Sequence, residues 1–342
     1  MFIKGDTNIT SLRIGRGSLD GIGRYADKFV VFTMDIPWKV TRDLLGAPPL
    51  KTVMVESVDE QWLDEKIIQM PECDTVIGIG GGQAVDAAKY MSWKRGIRLI
   101  SVPTILSVDA FVTPAAGIRR NHMVTYVGQS TPDPLVIDFD VIRSAPPQLN
   151  IAGIGDLLSA HTGTFDWEYA NARGRSEYPF SMDDINSARK IVNDLEDYLE
   201  EIRANTDTGL QAIVEGYMKM NTICIPAGHA RVEEGSEHYL FYELEERLKR
   251  PFIHGNIVGL GIYIMSRLQN NAPEKITSMM NRAGLMYQPA NLGLKREDAK
   301  VSLLNLREFV ERHKELWYTV LNDTLISESW VDKILDNLQF ES

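Results

Sequence analysis

Asp74-Thr-Val-Ile-Gly-Ile-Gly-Gly-Gly-Gln-Ala-Val-Asp-Ala-Ala-Lys89 is the stretch whose reading decides the fold. Its first six residues, DTVIGI, form a short apolar run of strand type, and QAVDAAK is built from good helix formers. Gly80, Gly81 and Gly82 stand at the join. Glycines at a strand-to-helix turn let the backbone approach a ligand closely, and the free N–H groups at a helix start favour a pyrophosphate. The spacing is not G-x-G-x-x-G, because Gln83 stands where the third glycine belongs, and no Walker lysine is present. Taken alone, the glycines fit a simple tight turn as well as a phosphate site.

The same alternation extends on both sides of this stretch. Residues 28–33 (KFVVFT), 51–56 (KTVMVE) and 98–102 (RLISV) are further strand-like runs separated by helical patterns. Repeated strand–helix alternation predicts βαβ units and a parallel sheet, covered on both faces, with ligands bound where loops leave the strands' carboxyl ends. At Ser144-Ala-Pro-Pro-Gln148 two prolines interrupt the pattern, and we place a domain boundary there, giving residues 1–145 and 146–342. Beyond it the period becomes 3.6 residues, clearest over 182–205, where Ile185, Ile191, Val192, Leu195, Tyr198, Leu199 and Ile202 share one stripe. Asp183, Asp184, Glu196, Asp197, Glu200 and Glu201 form the opposite, solvated face, and a similar helix is expected over 296–316. The expected architecture is α/β: an N-terminal Rossmann-like parallel-sheet domain followed by an all-helical C-terminal domain.

Composition narrows the function. The 342 residues are 44% hydrophobic and 24% charged, the balance of a folded globular chain of two domains. Lys plus Arg number 36 against 47 Asp plus Glu, a net charge of −11 that would repel nucleic acid and anionic lipid. The two cysteines, Cys73 and Cys224, form neither a disulfide framework nor a zinc ribbon, which fits a reducing, cytoplasmic setting. Neither a signal-peptide h-region nor a run of 18 apolar residues occurs, so secretion and membrane insertion are not expected.

Three more groups of residues carry chemistry. Asp35 ends the run FTMD and could accept the ribose hydroxyls of a dinucleotide, favouring NAD over NADP; a helix-capping role is the alternative. The loop PTILSVDAFVT (103–113) offers Thr104, Ser107 and Thr113 to phosphate or nicotinamide and Asp109 to a substrate hydroxyl, although ordinary turns use the same residues. Asp156 in GIGD, His238 in GSEH and His254 in FIHG are dispersed, yet one carboxylate and two imidazoles make a three-ligand set suited to a catalytic divalent metal with an open position. His122, His229 and His313 have no supporting context.

With GIGGGQAVDAAK, SVPTILSVDAF, AGIGDLLSAHTGTFDWEYA, EEGSEHYLF and HGNIVGLG in this order, the chain resembles the iron-containing alcohol dehydrogenase and dehydroquinate synthase-like superfamily over roughly residues 10–270. Within it the likeness is greatest to the glycerol-1-phosphate dehydrogenase and glycerol dehydrogenase branch. The resemblance implies that Gly80, Gly81, Gly82 and Asp86 hold the NAD pyrophosphate, and that Thr104, Ser107 and Thr113 line the nicotinamide side. It also implies that Asp35 meets the ribose, that Asp156, His238 and His254 bind the metal, and that Asp109 faces the substrate. The implied activity is hydride transfer between NAD, or NADP, and a polyol or polyol phosphate, in a homo-oligomer. A sugar-phosphate cyclase and a non-catalytic descendant are the alternatives. Four-ligand iron members carry a histidine four residues after the aspartate; here that position is Ala160, and His161 lies one step further round the helix. A three-ligand site is therefore expected, with zinc first and nickel or iron as alternatives. The cyclase branch carries a glutamate at the first ligand position, so Asp156 argues for simple hydride transfer. Arg119 and Arg120 are the nearest basic pair, readable as a phosphate fork or as surface charge.

Overall fold

The computed structural model describes Asn8, Ile9, residues 11–120 and residues 123–341, so His122 lies outside the described residues. The chain divides into two compact units after Asn150.

The first unit contains eight strands among its described residues: β1 (Leu12–Gly15), β2 (Phe29–Thr33), β3 (Lys51–Met54), β4 (Thr75–Gly80), β5 (Arg98–Pro103), β6 (Ala116–Arg120), β7 (Met123–Val127) and β8 (Leu135–Asp138). Six of them form one wholly parallel sheet in the order β1-β8-β5-β4-β2-β3, and β6 with β7 makes a separate antiparallel ribbon. Helices α1 (Asp35–Thr41), α2 (Glu60–Ile68) and α3 (Gly82–Arg95) follow β2, β3 and β4. The two-residue period of the strands feeds two cores. Val30, Phe32, Val76 and Leu99 join Leu63 and Ile67 of α2 and Ala87, Tyr90 and Met91 of α3 in one; Phe29, Val31, Ile77, Ile79, Ile100 and Val102 join Leu19, Ile22 and Leu45 in the other. Burial on both faces is why these strands read as nearly continuous apolar runs.

The strand order has a direct bearing on the site. From β2 the chain places β3 on one side and then returns to place β4 on the other. Strand order therefore reverses between β2 and β4, and a crevice outside the carboxyl ends at such a switch point is where doubly wound sheets bind nucleotides. Asp35 and the glycine turn follow those two ends.

Two strands were not expected from the sequence. LRIG (β1) and LVID (β8) have four residues each, and β8 is preceded by Pro132 and Pro134, so neither stands out as a run.

The second unit, from Ile151, is helical throughout its described residues. The double proline does not open a loop there: Pro147 starts the short helix Pro147–Ile151, where a first-turn residue needs no N–H partner. The stripe over 182–205 is divided into the helix Met182–Asp194, a 3₁₀ turn Leu195–Tyr198 and the helix Leu199–Arg203. Six of its seven apolar residues are buried, but Tyr198 is exposed because the tighter turn shifts the register by part of a residue. The later helix runs Arg296–Arg312.

Candidate active site

In the first unit the glycine turn is packed as closely as its composition allows. Gly80 has φ +152°, and a Cβ there would lie 2.8 Å from the Ala84 Cβ. A Cβ on Gly81 would meet Ile105 at 2.9 Å and one on Gly82 would meet Val108 at 3.0 Å, so the loop after β5 lies directly over the turn. Thr104 N donates to Gly80 O at 3.0 Å, which joins the two loops through the backbone. Pro37 of α1 lies 3.7 Å from the same Gly80 Cβ position, which sets the Asp35 helix beside the turn. The Asp35 carboxylate makes no capping bond; it accepts from Lys39 Nζ at 2.6 Å and is exposed. Ser107 is half-buried, and Asp109 opens a 3₁₀ turn whose carbonyl receives Val112 N and Thr113 N.

Asp86 and Thr113 come together at a residue the sequence reading passed over. Lys89, 1% exposed, lies 2.8 Å from Asp86 Oδ1 and donates to Thr113 Oγ1 at 3.3 Å and to Ala115 O at 2.5 Å. Burial raises the Asp86 carboxyl above its ordinary range even though Lys89 pulls it down. The i,i+3 spacing of Asp86 and Lys89 was the available signal. Arg120 spends its fork on Glu60, with Nε–Oε2 and Nη2–Oε1 both 2.6 Å, so it is an intrachain partner rather than a prepared phosphate clamp.

In the second unit Asp156, His238 and His254 converge. They are the one group of three or more potential metal ligands found among the described residues, with one ligand atom from each and all such atoms within 4.8 Å of one another. His254 Nε2 is 3.0 Å from Asp156 Oδ1, and His238 Nε2 is 3.6 Å from the same oxygen. Bonds of 2.0–2.1 Å in a tetrahedral shell put neighbouring ligand atoms about 3.3 Å apart, and the two measured edges bracket that value. The donor set therefore fits a divalent cation.

The backbone explains why the groups meet. Asp156 lies on the helix Gly153–Leu158 and His254 begins the helix His254–Leu268. Gly155 and Gly255 adjoin the two ligands, and a Cβ on Gly155 would be 1.9 Å from Gly255 O, while one on Gly255 would be 1.7 Å from Ala152 O. Only glycine at both positions lets the helices touch backbone to backbone, and that contact sets the Asp156–His254 distance. His238 lies on the helix Ser236–Leu248, buried, with its Nδ1 2.8 Å from Glu237 Oε1. The Phe241 ring stands edge-on to His254 with centroids 5.0 Å apart and limits its rotation.

Electrostatics reinforce the arrangement. Burial opposes ionisation of Asp156, yet the His254 charge and hydrogen bonds from both histidines hold its carboxyl well below the usual range. Burial likewise opposes charge on His238, but Asp156 and Glu237 raise it well above an ordinary imidazole. A site that holds a proton this firmly exchanges it for a cation on metal binding.

The other histidines among the described residues are engaged elsewhere. His161 Nε2 meets Asn271 O at 2.7 Å, apart from the triad. His229 stacks on Tyr178 with centroids 4.2 Å apart, and His313 pairs with Glu246 and Glu315. Sequence reasoning missed Glu237 and Asp166. Asp166, fully buried, accepts from Ser236 N at 2.8 Å and Val320 N at 3.0 Å, anchoring the start of the His238 helix. Glu237 was adjacent to a named ligand, which was its only signal.

The sheet order and the gathering of ligands on a helical unit define the class: this is the architecture of the iron-containing alcohol dehydrogenases. The structure matches that of glycerol dehydrogenase from Schizosaccharomyces pombe with a TM-score of 0.71 at 21% identity, over 96% of this chain and 88% of that one. It matches an iron-containing alcohol dehydrogenase from Corynebacterium glutamicum with a TM-score of 0.72 at 14% identity, over 100% and 98%. The iron-containing alcohol dehydrogenase profile matches residues 47–146. Glycerol-1-phosphate dehydrogenase (NAD(P)+) of Hyperthermus butylicus is 30% identical over 255 residues, 73% of this chain and 70% of that protein. The enzyme of the same name from Sulfurisphaera tokodaii is 28% identical over 336 residues, 94% and 93% of the two chains. The chain belongs to the glycerol-1-phosphate dehydrogenase family within that class. Among the described residues no helix is long and apolar enough to cross a membrane.

Proposed function

We propose that the protein is a metal-dependent NAD(P)(H) oxidoreductase that interconverts a polyol phosphate of the glycerol 1-phosphate type and its ketone. The observation that carries this reading is the convergence of Asp156, His238 and His254 within 4.8 Å. These three would hold the cation, with zinc proposed for a mixed imidazole and carboxylate set. When bound, the cation supplies Lewis acidity toward the reacting oxygen and the nicotinamide supplies the hydride acceptor or donor.

The chain's own residues bind and orient. Gly80, Gly81 and Gly82 leave room for a pyrophosphate at the start of α3, where the positive end of the helix favours an anion. Asp35 accepts the ribose hydroxyls and disfavours a 2′-phosphate, while Lys39 beside it tempers that preference, in keeping with use of both NAD and NADP. Thr104 and Ser107 supply polar groups to the nicotinamide side, and Asp109 receives a substrate hydroxyl. Asp86 and Thr113 act through Lys89, which fixes the loop that carries these groups to α3. The nucleotide is assigned to residues 1–145, and the cation and, apart from Asp109, the substrate to residues 146–342. A cytoplasmic homo-oligomer is the proposed setting.

The test is His254→Ala, assayed for bound metal by elemental analysis and for turnover of glycerol 1-phosphate and dihydroxyacetone phosphate at the NADH absorbance band, with zinc, nickel or iron supplied. Loss of both metal and turnover is expected. Unchanged values for both would remove the triad from the reaction.

A further inference from the structure

Glu237 is fully buried, and its Oε1 accepts from Gly235 N at 2.7 Å while lying 2.8 Å from His238 Nδ1. Its Oε2 has no hydrogen-bond partner among the described residues, and the one ion pair it makes there is with His238. No arginine or lysine among the described residues pairs with it. An ionised carboxylate buried this completely costs several kcal/mol unless positive charge compensates it. Here that charge can reach it only through the imidazole.

The surrounding backbone holds it in place. A Cβ on Gly261 would lie 2.4 Å from Glu237 O, so the His254 helix presses directly on the main chain at this residue. Asp166 holds the preceding Ser236 N at 2.8 Å. With the backbone fixed on both flanks, the Gly235 N–H bond to Oε1 holds the carboxylate against the ring.

We infer that Glu237 is a positioning residue: its buried carboxylate accepts a hydrogen bond from the Nδ1–H of His238, so that the proton stays on Nδ1 and the bare Nε2 is turned toward Asp156 and a divalent cation, whose charge it offsets through the ring. Carboxylate partners of this kind orient ligating histidines and raise their basicity. The inference rests on the metal-site reading above and deepens it.

The experiment titrates zinc into chelator-stripped protein against a chromogenic competitor. Glu237→Gln should bind zinc about 10–100-fold more weakly than the unmodified protein, compared at equal native content. A residue with only a structural role would leave the ring nitrogen that carries the proton in the zinc-loaded protein unchanged. Glu237→Asp, which keeps the charge but shortens the reach, should fall between the two and serves if the glutamine variant does not fold. In zinc-loaded unmodified protein labelled with ¹⁵N-histidine, NMR should show His238 protonated at Nδ1. Equal zinc affinity of Glu237→Gln and the unmodified protein, or a ring bound through Nδ1, would overturn the inference. His254→Ala measured alongside separates the two failures. If it keeps zinc, the metal site itself is wrong; if it loses zinc while Glu237→Gln keeps it, the role of Glu237 alone is wrong.

Discussion

Gly255→Ala is the sharpest perturbation of the site, because it adds one carbon and no chemistry. The new Cβ would lie 1.7 Å from Ala152 O, whereas ordinary contact begins near 3.4 Å, so the two helix backbones must part by about 1.7 Å. His254 adjoins the substituted residue, and Asp156 lies one turn beyond Ala152. Carried to their side chains, that displacement stretches the 3.0 Å Nε2–Oδ1 distance to roughly 4.7 Å, beyond the edge of about 3.3 Å that one small cation can span. With one of three ligands withdrawn, zinc affinity should drop by at least about 100-fold. Overpacking should also cost about 1–3 kcal/mol, lowering Tm by about 2–12 °C for a unit of this size. Elemental analysis after dialysis against trace zinc and a thermal melt of the metal-free protein read the two effects separately. A variant that retains one equivalent of metal and an unshifted melt would refute the claim that the glycine crossing builds the site.

Two further outcomes test the electrostatics. Lys89→Met leaves Asp86 buried without its cation and should cost about 3–5 kcal/mol in urea unfolding, while Lys89→Met combined with Asp86→Leu should recover most of the loss; a single variant as stable as the parent would show that the pair is idle. Burial, with the charge of Glu237, pushes Asp166 up to about 6 from 3.8. Between those values the native state keeps a proton that the unfolded chain releases, so stability rises as pH falls. Relative to Asp166→Asn, the metal-free protein should gain about 1.4 kcal/mol on going from pH 7.5 to pH 5. Parallel stability curves for the two would contradict the assignment.

The sheet was legible because strands buried on both faces must be apolar throughout: 28–33 contains β2, and 74–79 and 98–102 cover all but the last residue of β4 and β5, while 51–56 contains the edge strand β3. β1 and β8 were not, since runs of four residues, the second of them behind Pro132 and Pro134, carry no periodic signature and owe their pairing to neighbouring strands. Tyr198 shows the limit of a fixed 3.6-residue period, which a single 3₁₀ turn displaces. Asp156, His238 and His254 could be named from residue type and motif, but their meeting depends on helix crossings that no linear spacing encodes. Gly155 and Gly255 were visible in the sequence, and what they do became visible only with the helices in contact. Lys89 and Glu237 were missed for a related reason. A charged residue in an apolar setting looks like surface until its burial is known.

The backbone crossing at Gly155 and Gly255 also ties ion binding to folding. Its two ligands are 98 residues apart in the chain and have no common neighbourhood once the helices separate. An ion captured there adds its binding free energy to the native state alone, about 2.7 kcal/mol when free ion stands at a hundred times its dissociation constant. The cell's supply of that ion thereby governs how long the helical unit survives as well as how fast it works.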